Sequence, residues 1–251
     1  MPELLPQLVG LQMPANFVPT TNDILGEMHR RGVSRDKLLT TLQMLGSEVP
    51  TPVVRMLQSV KRRRGVATKV LSDCNSVFIS HILTGAKLAG CVDEVITNAA
   101  AFERLACDAG GALPSLGGAK AGGAGGSAKA GAAAGHHRLV IAPRHPDAAP
   151  PHGCRLCPSN LCKGAELQAM LRSRRYGRVV YAGDGANDIH PALLLGEEDV
   201  LLARAGHALA AYVEAAAAPG AQAAGLGRVR ARVVVWSSHD ELERLVAEHA
   251  R

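Results

Sequence analysis

The stretch Arg178-Val179-Val180-Tyr181-Ala182-Gly183-Asp184-Gly185-Ala186-Asn187-Asp188 constrains the fold of this chain most. A short apolar run rich in Val and Tyr reads as a buried strand. It stops at Gly-Asp-Gly, and Asn187-Asp188 can cap a helix running through Ala192 to Leu195. That order places the carboxylates of Asp184 and Asp188 in a loop at the carboxyl end of a strand, where open α/β sheets put their ligands. Hard cations such as Mg2+ take one or two carboxylates together with phosphate oxygens. Alone, the same residues also describe a plain strand-to-helix turn, so the rest of the chain decides.

The 251 residues can hold one sizeable core and a small accessory domain. The net charge is +6. Much of it sits in Lys61-Arg62-Arg63-Arg64 and in Arg172, Arg174 and Arg175, at the ends of predicted helices, where cations favour the helix dipole. No basic face interleaved with aromatic or groove-reading elements is present, which argues against a nucleic-acid partner. No membrane-length apolar run or secretory signal accompanies the six cysteines. Reduced thiols in an intracellular, cytoplasmic setting are therefore expected rather than a disulfide framework.

Residues 1–64 read as small and helical. Thr20, Thr21 and Asn22 offer caps to a helix through Ile24, Leu25 and Met28, closed by Gly32. Ser34 opens a second helix and Thr51-Pro52 a third, with Pro where its missing N–H costs nothing. At Val66 the period changes. Val66–Leu71 reads as a strand ending at Ser72-Asp73-Cys74-Asn75, followed by a helix and a short strand around Glu94–Thr97. Later strands are expected at Asp199–Leu202 and Ala231–Trp236, helices at Ala208–Ala216 and after Ser238, whose capping box uses Glu241. Alternating strands and helices predict a parallel sheet with helices on its faces. Residues 110–135, rich in Gly and Ala without periodicity, read as a disordered insertion. The domain expectation is thus a partial helical cap over 1–64 and a core formed by 65–109 and 136–251.

Three loops follow strands or open helices: Ser72-Asp73-Cys74-Asn75, the segment around Lys163, and Gly183–Asp188. They supply a hydroxyl, an ammonium and a carboxylate pair. Phosphoryl transfer needs that inventory, because its catalysis is mostly positioning and charge stabilisation. Singly, Ser72 reads as a helix-entry turn and Lys163 as a solvated first-turn lysine.

Ser-Asp-x-Asn after a strand, His152-Gly-Cys-x-x-Cys-Pro-x-Asn-x-Cys-Lys-Gly164, and Gly183-Asp-Gly-x-Asn-Asp188 together resemble the phosphoethanolamine/phosphocholine phosphatase family of the haloacid dehalogenase superfamily. That family also contains pyridoxal phosphate phosphatase-like and plant thiamine phosphate phosphatase-like members. The resemblance runs from about Glu3 to the C-terminus and implies a Rossmann-like α/β core acting on a small phosphorylated metabolite, or on pyrophosphate, with Mg2+. On it, Ser72 matches the phosphate-binding hydroxyl, Lys163 the phosphate-binding lysine and Asp184 the Mg2+ carboxylate. Asp188 matches the supporting acidic position, and Asp73 and Asn75 would lie near the substrate.

The family's mechanism starts from a strand ending in Asp-x-Asp, whose first Asp is the nucleophile and whose second is the general acid/base. That motif does not occur in these 251 residues. The resemblance begins inside the cap, so the chain is expected to be N-terminally truncated and to lack the sheet's central first strand, leaving both neighbours with an open edge. The alternative is a non-catalytic phosphate-binding or regulatory family member. Cys154, Cys157, Cys162 and His152 also offer four soft ligands. Their close spacing fits no ribbon or finger pattern, and a turn of reduced thiols is expected rather than a closed zinc site.

Overall fold

The computed structural model describes residues 17–104, 137–145, 152–174, 176–221 and 225–250. The expected insertion at 110–135 lies outside the described residues. Helix α1 (Phe17–Arg30) begins ahead of Thr20–Asn22, so these residues lie inside the helix rather than capping it. The Thr21 hydroxyl donates back to the Phe17 carbonyl at 2.8 Å. The Asn22 side chain pairs with a strand: its Nδ2 donates to Ile141 O and its Oδ1 accepts from Ile141 N, both at 2.8 Å. Gly32 ends the turn after α1 with φ 78°, a left-handed conformation that costs glycine little. Ser34 caps α2 (Arg35–Leu45) by accepting from Lys37 N, and α3 (Thr51–Lys61) carries its proline in the first turn, both as the sequence predicts.

The first sheet holds β1 (Lys69–Asn75), β2 (Glu94–Arg104) and β3 (His137–Ala142), with α4 (Ser76–Gly85) between the first two. β1 and β2 are parallel, with Lys69 opposite Glu94 and a register shift between Leu71 and Asn75. The short strand expected at Glu94–Thr97 is longer, and its second half pairs antiparallel with β3 from Ala99–Ala142 to Arg104–His137. The parallel pairing expected from the strand–helix alternation is present, and the β2–β3 pair adds an antiparallel extension that the sequence does not announce. Asn98-Ala99-Ala100-Ala101 has no strand preference of its own. It is held extended by Leu139-Val140-Ile141, a run of high β-propensity whose Leu139 and Ile141 are buried with Val18 and Leu25.

The second sheet is parallel throughout and has the order β4 (Val180–Gly183), β5 (Val200–Arg204), β6 (Arg232–Trp236). Helices α5 (Lys163–Ser173), α6 (Ile189–Leu194), α7 (Ala208–Ala217) and α8 (His239–His249) flank it. β5 is buried on both faces, as a central parallel strand must be. Leu201 and Ala203 face a cluster with Ile189, Leu195, Leu209 and Tyr212, whereas Val200 and Leu202 face Trp236, Leu242 and Leu245. This two-residue alternation between helix layers is what the pleat dictates. Ser238 caps α8 through Glu241 N at 3.2 Å, but the Glu241 carboxylate returns to Ser237 N rather than to Ser238 N.

The basic run after α3 serves contacts beyond its own helix. Lys61 pairs with Asp93 at 2.5 Å, and Arg63 donates to the carbonyls of Ala247 and Ala250 at the end of α8, where a cation meets the negative pole. Arg55 ties the same helices through Glu243 and Asp240. The two sheets do not pair with each other: among the described residues β1 and β4 each have a strand on one side only. Between them lies a cavity of about 710 Å³ lined by Leu57, Val60, Leu71, Met170, Val180 and Tyr181, among others. No described helix is long and apolar enough to cross a membrane.

The C-terminal ends of α2 and α4 cross with backbone in contact. A Cβ on Gly85 would lie 1.8 Å from Gln43 O, and one on Gly46 would lie 2.3 Å from Ala86 N. Gly85→Ala is therefore expected to lose at least about 1–3 kcal/mol in urea unfolding. Gly90→Ala, where a Cβ meets nothing within 4 Å, should be close to neutral. Equal stabilities for the two variants would contradict this crossing.

Candidate functional site

Asp188 closes a single turn of 3-10 helix, Ala186–Asp188, and is 3% exposed. Its Oδ2 accepts from the backbone N–H groups of Asp184 and Gly185, each at 3.0 Å. Its Oδ1 accepts from Lys163 Nζ at 2.8 Å and from the Tyr181 hydroxyl at 2.7 Å. These bonds use the roughly four acceptor directions of a carboxylate. Burial, and then the Asp188 charge, push the Tyr181 phenol well above its ordinary range, so it stays a donor. Gly183 lets the loop fold this tightly, since a Cβ there would lie 2.8 Å from the Asp188 carboxyl carbon. Asp188 is thus an organiser of the loop, with its oxygens already engaged.

Lys163 is the first residue of α5, and its side chain is 10% exposed, which removes the reading of a solvated first-turn lysine. One N–H goes to Asp188. An ammonium has three, so donors remain for a ligand. Asp184 is placed differently. Its side chain is half-exposed, with Arg204 Nη1 at 3.8 Å and His207 Nδ1 at 3.9 Å, and its carbonyl accepts from Leu209 N at 3.0 Å, which pins the loop to α7.

Ser72, Asp73 and Asn75 lie within the end of β1 rather than in a loop after it. Ser72 Oγ accepts from Cys74 N at 3.2 Å. Asp73 Oδ2 accepts from Asn187 Nδ2 at 2.9 Å, which joins β1 to the Gly183–Asp188 loop. Asn75 is 2% exposed and caps α4, its Oδ1 accepting from Phe78 N at 3.0 Å. Burial raises the thiol of Cys74 above its usual range.

Residues that the sequence does not single out complete the site. Asn98, fully buried, sits at the register shift: its Nδ2 donates to the carbonyls of Asp73 at 2.6 Å and Cys74 at 2.8 Å, and its Oδ1 accepts from Arg144 N. Arg204 ends β5 and His207 lies just before α7, both within 4 Å of the Asp184 carboxylate. The signal that could have found them is their position after a predicted strand.

The cysteine cluster forms, but with another histidine. The ligand atoms of Cys154, Cys157, Cys162 and His190 lie within 4.8 Å of one another. His152 is occupied elsewhere: its Nε2 is 3.0 Å from Pro158 O and its Nδ1 accepts from Cys154 N at 3.2 Å. The crowding polarises the group. Hydrogen bonds from Cys157 and Cys162, and then His190, hold the Cys154 thiol far below its usual range. Its neighbours Cys154 and Cys162 push Cys157 up, and the two sulfurs beside His190, Cys154 first, raise that imidazole to about 10. No disulfide joins the described cysteines.

A parallel-containing α/β core with flanking helices, in which the buried Lys163 pairs with the loop after β4 and that loop is joined to the end of β1 through Asp73, is a Rossmann-like arrangement of the haloacid dehalogenase type. The chain belongs to the Putative Phosphatase family, whose model matches residues 4–109 and 129–249. It is 27% identical to a thiamine phosphate phosphatase-like protein of Arabidopsis thaliana over 226 residues, covering 88% of this chain and 75% of that one. It is 29% identical to a pyridoxal phosphate phosphatase of Rattus norvegicus over 178 residues, 69% of this chain and 56% of the relative. A phosphoethanolamine/phosphocholine phosphatase of Homo sapiens is 36% identical over 122 residues, 42% of this chain and 44% of that one. No solved structure matches the chain.

Asp188→Asn leaves the Lys163 ammonium buried without its counter-charge. Breaking one side of a buried pair costs about 3–5 kcal/mol. Urea unfolding is expected to show a loss of that size, and Lys163→Met added to Asp188→Asn should recover part of it. A loss below about 1 kcal/mol, as for an exposed pair, would contradict the placement of Lys163.

Proposed function

We propose that this chain carries the phosphate- and Mg2+-binding half of a phosphatase site for small phosphomonoesters, in a family that works through an aspartyl-phosphate. The observation that carries the reading is the buried Lys163–Asp188 pair, held to the Gly183–Asp188 loop and joined to β1 through Asn187 and Asp73. Ser72 Oγ and nearby backbone N–H groups hold the phosphoryl oxygens, and the free donors of Lys163 neutralise them. Asp73 and Asn75 stand beside the substrate, Asn75 through the cap it gives to α4.

The donor set suits Mg2+, which prefers hard oxygens and usually takes one or two carboxylates plus phosphate. The Asp184 carboxylate is half-exposed, and the nearest basic side-chain nitrogens described, of Arg204 and His207, stand 3.8 Å or more away, so it can take an ion. Asp188 supports it by fixing the Asp184 backbone rather than by lending an oxygen. When bound, the ion supplies charge neutralisation at the phosphoryl oxygens. Arg204 and His207 are placed to meet the remaining negative charge.

The names of the relatives suggest thiamine phosphate, pyridoxal phosphate, phosphoethanolamine or phosphocholine as substrates, all small phosphomonoesters. The chain spans only 56% of the rat phosphatase it matches, and the Asp-x-Asp that would attack phosphorus is not among its residues. Loss of a nucleophile can cost about 10⁶ in rate where catalytic groups act as a unit. Binding without turnover is therefore expected of the 251 residues by themselves. The absent motif also favours a second reading, a non-catalytic phosphate-binding family member.

Calorimetric titration with inorganic phosphate tests the site. Binding should strengthen with Mg2+. Lys163→Ala should weaken it by about 10- to 100-fold, the worth of a charge-assisted hydrogen bond, and Asp184→Asn should remove the Mg2+ dependence. Phosphate affinity indifferent to both changes would overturn the assignment, and sustained phosphate release from the pure, mass-verified chain would overturn the expected lack of turnover.

A further inference from the structure

The cluster of Cys154, Cys157, Cys162 and His190 has no part in the phosphate reading, and its geometry is unusual for hydrogen bonding. Cys154 Sγ lies 3.2 Å and Cys162 Sγ 3.3 Å from the same atom, His190 Nδ1. One imidazole nitrogen offers either a single N–H or a single lone pair. It cannot satisfy two thiols well, yet a cation on its lone pair would explain why both sulfurs gather there. The edges of a tetrahedron built with zinc–sulfur bonds of about 2.3 Å and zinc–nitrogen bonds of about 2.0 Å run to about 3.5–3.8 Å. The two sulfur–nitrogen spacings are shorter than such an edge by a few tenths of an ångström, and all four ligand atoms lie within 4.8 Å of one another.

Backbone N–H groups face two of the sulfurs. Leu156 N donates to Cys154 Sγ and Ala165 N to Cys162 Sγ, both at 3.4 Å, the kind of outer hydrogen bond that orients a metal ligand. Cys157 and Cys162 are buried, Cys154 and His190 half-buried, so the site is closed apart from one side. Gly164 makes room for the fourth ligand, since a Cβ there would lie 2.2 Å from the His190 ring. A set of three sulfurs and one imidazole, with no carboxylate, selects zinc over magnesium or calcium.

We propose that Cys154, Cys157, Cys162 and His190 form a structural zinc site. The ion staples the Cys154–Cys162 segment to α6. Lys163 follows one ligand directly and Asp188 precedes another by two residues, so the zinc fixes the spacing of the buried pair from behind. The site is independent of the phosphate reading and stands or falls by metal binding.

The test uses the full chain, reduced and stripped with a chelator, then titrated with zinc against a chromophoric competitor. One equivalent should bind and raise the thermal midpoint, and cobalt(II) in its place should show sulfur-to-metal charge transfer with tetrahedral d–d bands. His190→Ala and Cys157→Ser should weaken zinc by more than about 100-fold, beyond the loss of an outer-sphere partner. His152→Ala should retain the full equivalent. Should the ligand variants fail to fold, the cobalt spectrum of the unaltered chain decides. Absence of charge transfer, a Cys154–Cys157 disulfide in the native protein, iron in place of zinc, or unchanged binding in His190→Ala would each overturn the proposal.

Discussion

The buried ion pair between Lys163 and Asp188 is the interaction on which the site depends. Taking both charges out of water costs several kcal/mol per ion, a penalty their attraction offsets only when the remaining polar directions are filled. Here the Tyr181 hydroxyl and the Asp184 and Gly185 amides fill them. The carboxylate therefore sets the shape of its own loop while anchoring the first residue of α5, 25 positions earlier in the chain. Asp184 is left facing solvent as a consequence: its backbone is held by Asp188 and Leu209, and its side chain is not.

The halves of the site reach each other without strand pairing. β1 and β4 share no backbone hydrogen bonds among the described residues, and a cavity separates them. What joins them at the polar end is the bond from Asn187 to Asp73. At the far end the helices do so, with α3 bound to α8 through Arg55 and Arg63. The position of Ser72 relative to Lys163 thus rests on a few side chains, whereas the position of Asp184 relative to β5 rests on a sheet.

Much of this was legible in the sequence where local chemistry decides. The alternating burial of Val200–Ala203, the Ser34 and Ser238 caps and the glycine turn after β4 each follow from a few neighbouring residues. Motif order singles out Ser72, Lys163 and Asp184, which lie at the end of β1, at the start of α5 and directly after β4. The misses share a cause, which is that the role is created by a distant partner. An Ala-rich segment becomes strand only because β3 lies beside it, and Asn98 has meaning only at a register shift between two strands. His190 lies 28 residues from Cys162 and carries no spacing signal, while His152, close to the cysteines in sequence, is held by its own loop. Arg204 and His207 sit on a strand end whose facing loop is known only once the sheet is assembled.

On the proposed reading the anchored carboxylate of Asp188 positions Lys163 and the Asp184 backbone, so that Lys163 and Asp184 hold a phosphoryl group and its cation. A crystal structure of the full chain grown with Mg2+ and tungstate, a heavy phosphate mimic, tests it most directly. The account predicts the anion between Ser72 Oγ and Lys163 Nζ, the cation on Asp184, and Asp188 still bonded to Lys163, Tyr181 and the two loop amides. An anion ordered away from Lys163, or a cation bound directly by Asp188 with Lys163 displaced, would contradict it.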